Sequence, residues 1–249
     1  MKLSIITVCY NSADTIAATL ASVATQTHPS IEHIVIDGGS ADVTLQQIRK
    51  HGQHVSTLVS EPDSGIYDAM NKGLERVTGD VVAFLNADDR YANTHVLAGI
   101  AAQMQNENLD ALMGDVAFFR AEAPEQLVRR YSSSHFKPDR LAWGWMPSHP
   151  ALFVRREIYE RVGPFRTDFK IAGDYDWIAR AFKNGQVRYQ HKNEILVRMQ
   201  MGGVSTRGWR NTLLLNQEVL RACRDNGIST NWFKILSKYP RKLLEYVRL

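Results

Sequence analysis

Carboxylates punctuate this chain where apolar runs end. Val81-Val82-Ala83-Phe84-Leu85 leads into Asn86-Ala87-Asp88-Asp89, and a run over 32–36 ends in Asp37-Gly38-Gly39-Ser40. Later, Gly173-Asp174-Tyr175-Asp176-Trp177 places two acids at the start of a helical pattern. A short apolar run bounded by polar residues reads as a buried strand of a parallel sheet. Residues just past the carboxyl ends of such strands lie where open α/β sheets bind ligands. Adjacent carboxylates repel each other unless a cation holds them, and Mg²⁺ or Mn²⁺ is typically held by one or two carboxylates plus substrate phosphates. An ion held that way neutralises a nucleoside diphosphate as it leaves. A separate carboxylate can then take the proton of an attacking hydroxyl. A plainer reading stands beside each feature: an acidic turn for 86–89, and helix capping for one of Asp174 and Asp176, since negative charge is favoured at a helix N-terminus.

Several other chemistries lack their patterns. The chain holds no P-loop, no GxGxxG and no nucleophile elbow, and no His/Cys cluster has zinc spacing. Cys9 and Cys223 are far apart and form neither a disulfide framework nor a metal pattern, so a reducing cytoplasm is the expected location.

The elements that must position the acids alternate between strand and helix. The runs at 3–8, 32–36 and 55–60 read as strands. Helices at 13–25 and 43–51 separate them, the first capped by Ser12 or Asp14, the second by Ser40 or Asp42. This alternation predicts a parallel sheet built from βαβ units. A helix over 66–77 buries Ile66, Ala69, Met70, Gly73, Leu74 and Val77. Asp68, Asn71 and Lys72 share its other face, as a solvated surface or as a ligand-facing one. Further on come a helix over 94–105, a strand over 111–119 and a strand of opposite direction over 125–131. The stretch 132–146 is irregular and carries Trp143 and Trp145, which on a loop suit a sugar or peptide surface or simply pack beneath it. A strand at 151–154, a helix at 156–162 stopped by Gly163-Pro164, a helix from the Asp174 region and one or two strands within 186–199 complete the pattern.

The 249 residues suffice for one large α/β domain or two small ones, and 44% hydrophobic with 22% charged residues is ordinary for a globular protein. No run approaches the roughly 18 apolar residues of a membrane span, and the start lacks the pattern of a signal peptide. The net charge of +4 is unevenly placed. From Ser205 onward nine Lys/Arg face three Asp/Glu, a balance of +6, so the remainder of the chain carries −2. Such a tail suits an anionic surface, membrane or nucleic acid. Trp232, Ile235, Leu236, Tyr239, Leu243, Tyr246 and Val247 form one helical stripe there, opposite Lys234, Lys238, Arg241, Glu245 and Arg248, with Pro240 as a kink or a new start. That stripe fits a membrane interface, or packing on the rest of the chain or on a partner. It does not resemble a stacking sheet, so nucleic acid is not expected.

Six segments in order resemble a known family: SIITVCYNSADTI, HIVIDGGSADVT, EPDSGIYDAMNKGL, VVAFLNADD, SHPALFVRREIYERVGPF and GDYDW. Together they look like a family 2 glycosyltransferase of GT-A fold, over about residues 3–205, and most like bacterial enzymes that build exopolysaccharide, colanic acid or O-antigen. The resemblance implies an α/β fold with a mostly parallel, Rossmann-like central sheet flanked by helices. It implies a catalytic domain at 1–205, with a nucleotide-sugar half at about 1–110 and an acceptor half at about 111–205, followed by a basic helical tail at 206–249. Thr7, Tyr10 and Asn11 would line the nucleotide pocket, Asp37 would bond the base or ribose, and Asn71 and Lys72 would face the nucleotide or its phosphates. Asn86-Ala87-Asp88 stands in the place of the DxD motif, so Asp88, supported by Asp89, would hold Mn²⁺ or Mg²⁺ and the diphosphate. Asp174 matches the catalytic base, with Asp176 as runner-up, and His149 matches a histidine near the site. Trp143, Trp145, His149 and Asp176 form the expected acceptor side.

The implied reaction is a single inverting displacement from a nucleotide-diphosphate sugar to a hydroxyl of a saccharide, by resemblance a lipid-linked one. That places the chain in the cytoplasm or on the inner face of the plasma membrane. Three features depart from the family pattern. Asn86 replaces the first acid of DxD, Met70 stands where many relatives carry Arg, and the Gln-x-x-Arg-Trp signature of processive synthases is absent, which favours single additions. A nucleotidyltransferase would need a basic, glycine-rich N-terminal loop, which CYNSADT is not. A non-catalytic nucleotide-sugar-binding protein would not need Asp37, Asp88 and Asp174 together.

Overall fold

A computed structural model describes residues 1–202 and 208–239. In chain order the first half comprises β1 (Leu3–Cys9), α1 (Ile16–Ala24), β2 (Ile31–Asp37), α2 (Thr44–His51), β3 (Thr57–Ser60), α3 (Ile66–Leu74), β4 (Val81–Phe84), β5 (Asp89–Tyr91) and α4 (Val96–Asn106). The second comprises β6 (Ala111–Arg120), β7 (Ala123–Tyr131), β8 (Leu152–Arg155), α5 (Arg156–Val162), α6 (Gly173–Phe182), β9 (Tyr189–Gln200), α7 (Gly208–Asp225) and α8 (Trp232–Leu236).

The strands form one sheet in the order β3-β2-β1-β4-β8-β6-β9-β5, with β7 paired to the far half of β6. The β3, β2, β1 and β4 strands run parallel, as the strand–helix alternation predicts. Every residue of β1 and of β4 is buried, because helices cover both faces. Side chains alternate between two cores. Ile6 and Val8 join Ile34, Ile36 and Phe84 under α3, α5, α6 and α7. Leu3 and Ile5 join Val81, Ala83 and Leu85 under α4, while Cys9 and Val35 meet α1 and α2 on that same side.

The second half is mixed rather than parallel. β8 lies antiparallel between β4 and β6, which restores β6 to the direction of β4. The tract at 186–199 is one long strand, β9, parallel to β6. Residues 138–143 make a 3₁₀ turn inside the stretch read as irregular. The Asn86–Asp89 turn is shorter than expected, since Asp89 opens β5 and pairs with Met199 of β9. Neither Ser12 nor Asp14 caps α1; the Ser12 carbonyl accepts the Thr15 and Ile16 N–H groups instead, at 3.1 and 3.0 Å. Asp42 does serve α2, accepting the Thr44 N–H at 2.9 Å.

The charge change near residue 205 is not a break in the core. Val219, Leu220, Ala222 and Cys223 of α7, and Ile235 of α8, are buried in the same cluster as α3 and α6. Trp232 and Leu236 of the expected tail stripe are exposed while Ile235 is enclosed; the stripe and kink at 240–249 lie outside the described residues. No helix among the described residues is long and apolar enough to cross a membrane.

At the amino edge of the sheet, Glu32 ties three segments together. Its carboxylate accepts from Lys2 Nζ at 2.7 Å, Ser4 Oγ at 2.5 Å and the Thr78 N–H at 2.8 Å. Burial alone would raise this group, but those donors bring it down to about 2. A carboxylate lowered on folding stabilises above its unfolded value and loses that contribution as pH falls toward its folded value. We therefore expect Glu32→Gln to lower stability at pH 7 by about 1–3 kcal/mol. Thermal melts of both proteins should converge as the pH drops from 4.5 toward 2.

Candidate active site

The strand register brings four loops to one edge. Cys9 sits opposite Asp37, Asp37 opposite Ser60, and Ile6 opposite Phe84, so β1 to β4 all end together there. Asp37 is fully buried and holds its own loop: it accepts from the Ser40 N–H at 3.1 Å, the Ser40 hydroxyl at 2.5 Å and the Ser60 hydroxyl at 2.7 Å. Burial, and then the charge of Asp37, push the neighbouring Cys9 thiol far up, which leaves it unreactive. Asn11 adopts a left-handed φ of 48°, a conformation in which Asn is enriched. Its Oδ1 accepts the Ala41 N–H at 2.9 Å and its own N–H donates to Ser40 Oγ at 2.8 Å, which buttons the first loop to the second. Gly38 needs its missing side chain, because a Cβ would collide with the Asp63 carboxylate of the third loop. Tyr10 stands 62% exposed at the mouth.

The fourth loop carries Asn86-Ala87-Asp88. The Asp89 N–H donates to the Asn86 carbonyl at 3.0 Å, closing the turn. Thr19 of α1 sets its hydroxyl 2.9 Å from the Ala87 carbonyl and 2.7 Å from that of Asp89. Asp88 is partly exposed at the rim. Asp89 is not: it is 2% exposed, and burial followed by the charge of Asp88 pushes its carboxyl well above the usual range. It lies behind the rim, where it opens β5, whereas Asp88 stands at the rim. The Asn86 amide nitrogen reaches Asp89 Oδ2 at 3.4 Å, and this leaves Asn86 Oδ1 buried with no hydrogen-bond partner. An orphaned oxygen beside a rim carboxylate suits a hard cation. No group of three or more His, Cys, Asp or Glu among the described residues forms a cage. The residues therefore fit Mn²⁺ or Mg²⁺ only as an ion shared with a ligand's phosphates.

Asp174, in the first turn of α6, comes to the same edge through aromatic packing. The Tyr67 ring lies against Gly173 so closely that a Cβ there would stand 2.7 Å from it. The Tyr67 hydroxyl donates to the Ile171 carbonyl at 2.6 Å and lies 3.3 Å from Asp174 Oδ1, which also accepts the Tyr175 N–H at 2.8 Å. Phe165 bridges outward to β4, with ring centroids 6.0 Å from Tyr67 and 5.3 Å from Phe84. Desolvation by this packing pushes Asp174 up to about 6, against the lowering effect of the hydrogen bonds around it.

The remaining candidates divide. His149 stacks on Phe84 at 5.1 Å and meets Phe165 edge-on, and burial pushes it down to about 4, so its ring is neutral. Its buried Nε2 has no hydrogen-bond partner. Trp143 is exposed, while Trp145 is half-buried against Tyr131 with centroids 6.5 Å apart. Four residues expected at the ligand also make contacts within the protein. Thr7 is fully buried and faces His33 Nε2 at 3.0 Å. Asn71 spends both polar atoms on Phe165, donating to its carbonyl at 2.9 Å and accepting its N–H at 2.8 Å. Lys72 binds Glu61 at 2.9 Å and the Pro62 carbonyl at 2.9 Å, so it braces the third loop. Asp176 is fully enclosed and paired with Arg180 at 2.9 Å and with Arg166 at 3.8 Å. Thr19 and Tyr67 were missed by sequence reasoning. Tyr67 did carry a signal: it lies one turn from Met70 on the buried stripe, and a buried tyrosine hydroxyl usually needs a partner.

A half-parallel α/β sheet with an Asn-x-Asp turn past the end of β4 is the form of a GT-A transferase. The model of the family described as glycosyl transferase family 2 matches residues 4–163, and the chain belongs to that family. A PGL/p-HBAD biosynthesis glycosyltransferase of Mycobacterium bovis is 32% identical over 194 residues, 76% of this chain and 73% of its own. An uncharacterized glycosyltransferase of Mycobacterium tuberculosis is 31% identical over 72% of this chain and 68% of its own. Among solved structures, residues 1–349 of S. aureus TarS in complex with UDP-GlcNAc superpose with a TM-score of 0.71 at 20% identity, covering 92% of this chain and 68% of that one. The chain spans only 40% of the longer TarS chain. The Pyrobaculum calidifontis mannosyltransferase PcManGT, in complex with GDP-Man and Mn²⁺, gives 0.65 at 20% identity, covering 90% of this chain and 63% of that one.

Because Asn71 works inside the fold, Asn71→Ala should cost about 1–3 kcal/mol of stability, the cost of leaving the Phe165 peptide unpaired. Nucleotide affinity, measured by calorimetry on the folded variant, should stay within about twofold of the parent; a loss of tenfold or more (1.4 kcal/mol) would return Asn71 to the ligand surface.

Proposed function

We propose that this chain is a metal-dependent, inverting glycosyltransferase. It moves one sugar from a nucleotide-diphosphate sugar to a hydroxyl of a lipid-linked saccharide in cell-surface polysaccharide synthesis. The observation that carries this reading is Asp174, a partly enclosed carboxyl raised to about 6. Aromatic packing ties it to the strand whose end bears Asn86–Asp88. A base titrating near the working pH combines the deprotonated form with enough basicity to take a proton.

The donor's nucleotide rests against the loops of Tyr10, Asn11 and Gly38–Ser40, where glycine lets backbone and ligand approach closely. Asp88 and Asn86 Oδ1 would hold Mn²⁺ or Mg²⁺, which when bound neutralises the leaving diphosphate. The acceptor hydroxyl attacks the anomeric carbon from the face opposite the diphosphate. The new carbon–oxygen bond forms as the bond to the diphosphate oxygen breaks, and the hydroxyl proton passes to the Asp174 carboxylate. Exposed Trp143 offers a flat surface to the acceptor sugar.

Support for the donor class comes from TarS and PcManGT, which carry UDP-GlcNAc and GDP-Man. Support for a membrane-borne acceptor comes from α7 and α8. There Trp209 and Phe233 are 73% and 78% exposed, beside exposed Leu213 and Leu236, and Arg210 lies 5.5 Å over Trp209. Aromatic and basic groups together suit peripheral contact with the inner face of a membrane.

Activity requires ionised Asp174, so it should rise with pH through about 6 and level off above. Asp174→Asn should lower turnover by about 10²–10⁴-fold while donor binding persists. Asp88→Asn should abolish the Mn²⁺-dependent part of nucleotide binding, read by thermal shift. Wild-type turnover in Asp174→Asn would sink the assignment.

A further inference from the structure

The loop that delivers Asp174 has no cap of its own. The N-cap of α6 is Ala172, which has no side chain to satisfy the first N–H groups. Glu218, from α7, instead holds the N–H groups of the three residues that lead into the helix. Its Oε1 accepts the Lys170 N–H at 2.8 Å, and its Oε2 accepts those of Ile171 and Ala172 at 2.8 and 2.9 Å. Glu218 is 7% exposed, and none of the ion pairs between described residues includes it. Three backbone N–H groups thus hold a buried carboxylate, an arrangement costly to build unless the loop must be fixed.

The consequence reaches Asp174 directly. The Ile171 peptide is gripped on both sides, its N–H by Glu218 and its carbonyl by the Tyr67 hydroxyl. That same hydroxyl lies 3.3 Å from the Asp174 carboxylate three residues later. Gly173, between them, leaves the Tyr67 ring the space that a Cβ would take. Glu218 also acts through space, since its charge opposes ionisation of Asp174, a smaller effect than burial. The other charged groups of these elements are committed elsewhere. Arg221 pairs with Asp168 and Asp225, Arg166 with Asp168 and Asp225, and Asp176 with Arg180. Lys170 contributes its backbone N–H, and Tyr175 contributes an N–H to Asp174 while its hydroxyl meets Cys223 at 3.3 Å.

We infer that Glu218 is a positioning residue for the transfer reaction: through the 170–172 backbone it fixes where the Asp174 carboxylate stands. Glu218, like Asp174, lies beyond the 4–163 match to the family model. The inference rests on the assignment of Asp174 as the base.

The test is a pH–rate series on the full-length chain with Glu218→Gln and Glu218→Asp, beside Asp174→Asn. A glutamine can accept some of the three N–H groups but carries no charge, whereas aspartate keeps the charge and retracts it by one methylene. In Glu218→Gln we expect kcat to fall about 10- to 100-fold, because small misplacements of a reacting group cost on that order. KM for the donor should stay within about twofold, and the acid limb should move to lower pH. Glu218→Asp should keep the parental limb with a partly reduced kcat, and it decides the question if the glutamine variant does not fold. A parental kcat and limb in folded Glu218→Gln would overturn the inference, as would equal losses in kcat and donor KM. So would Glu218→Asp matching the parent in kcat where the glutamine variant does not fold. If Asp174→Asn keeps parental turnover, the reading of the site fails instead. If Asp174→Asn is inactive while Glu218→Gln is unaffected, only the role of Glu218 fails.

Discussion

Everything at the site depends on how closely α3 and α6 approach. The Tyr67 ring occupies the space a side chain at Gly173 would need. Only glycine permits that contact, and the contact brings a phenol within reach of Asp174. Phe165 and Phe84 carry the packing on to the end of β4. A carboxyl on a late helix is thereby set against loops from the first strands of the sheet. The same enclosure strips water from Asp174 and moves it into the range of a useful base. Position and chemistry come from one packing event.

The polar groups nearby divide by what they touch. Asp37, Asn71, Lys72 and Asp176 are spent on the protein itself, as loop ties, a helix-to-loop clamp and an enclosed ion pair. They hold the frame. Asn86 differs by an orphaned oxygen, beside the rim residue Asp88. Asp89, one residue on, turns inward to open β5, and burial pushes its carboxyl above the usual range. A motif of acids thus becomes one outward carboxylate with a supporting amide.

The C-terminal helix alters how the molecule divides. The charge density changes near residue 205, and beyond it α7 seals the main core with Val219, Leu220, Ala222 and Cys223 and offers Glu218 to the loop before α6. Charge is a surface property and does not reveal what the opposite face of a helix buries.

What the sequence by itself determined is local and periodic. The continuous apolar runs of β1 and β4 specify strands buried on both faces, and the strand–helix alternation through β4 specifies their parallel order. Acids just past those runs had to emerge at the carboxyl edge, which made Asp37 and the 86–89 turn legible as neighbours. The tertiary structure alone decided the rest, because it depends on pairs far apart in the chain. The antiparallel insertion of β8 has no period to announce it. Whether Asn71 meets a ligand or the Phe165 peptide is a matter of what packs on one helix face. Thr19 on the 86–89 turn, Tyr67 on Gly173 and Glu218 on the 170–172 loop join segments that no spacing rule connects. A side chain's type states which bond it can make; only the folded chain states with whom.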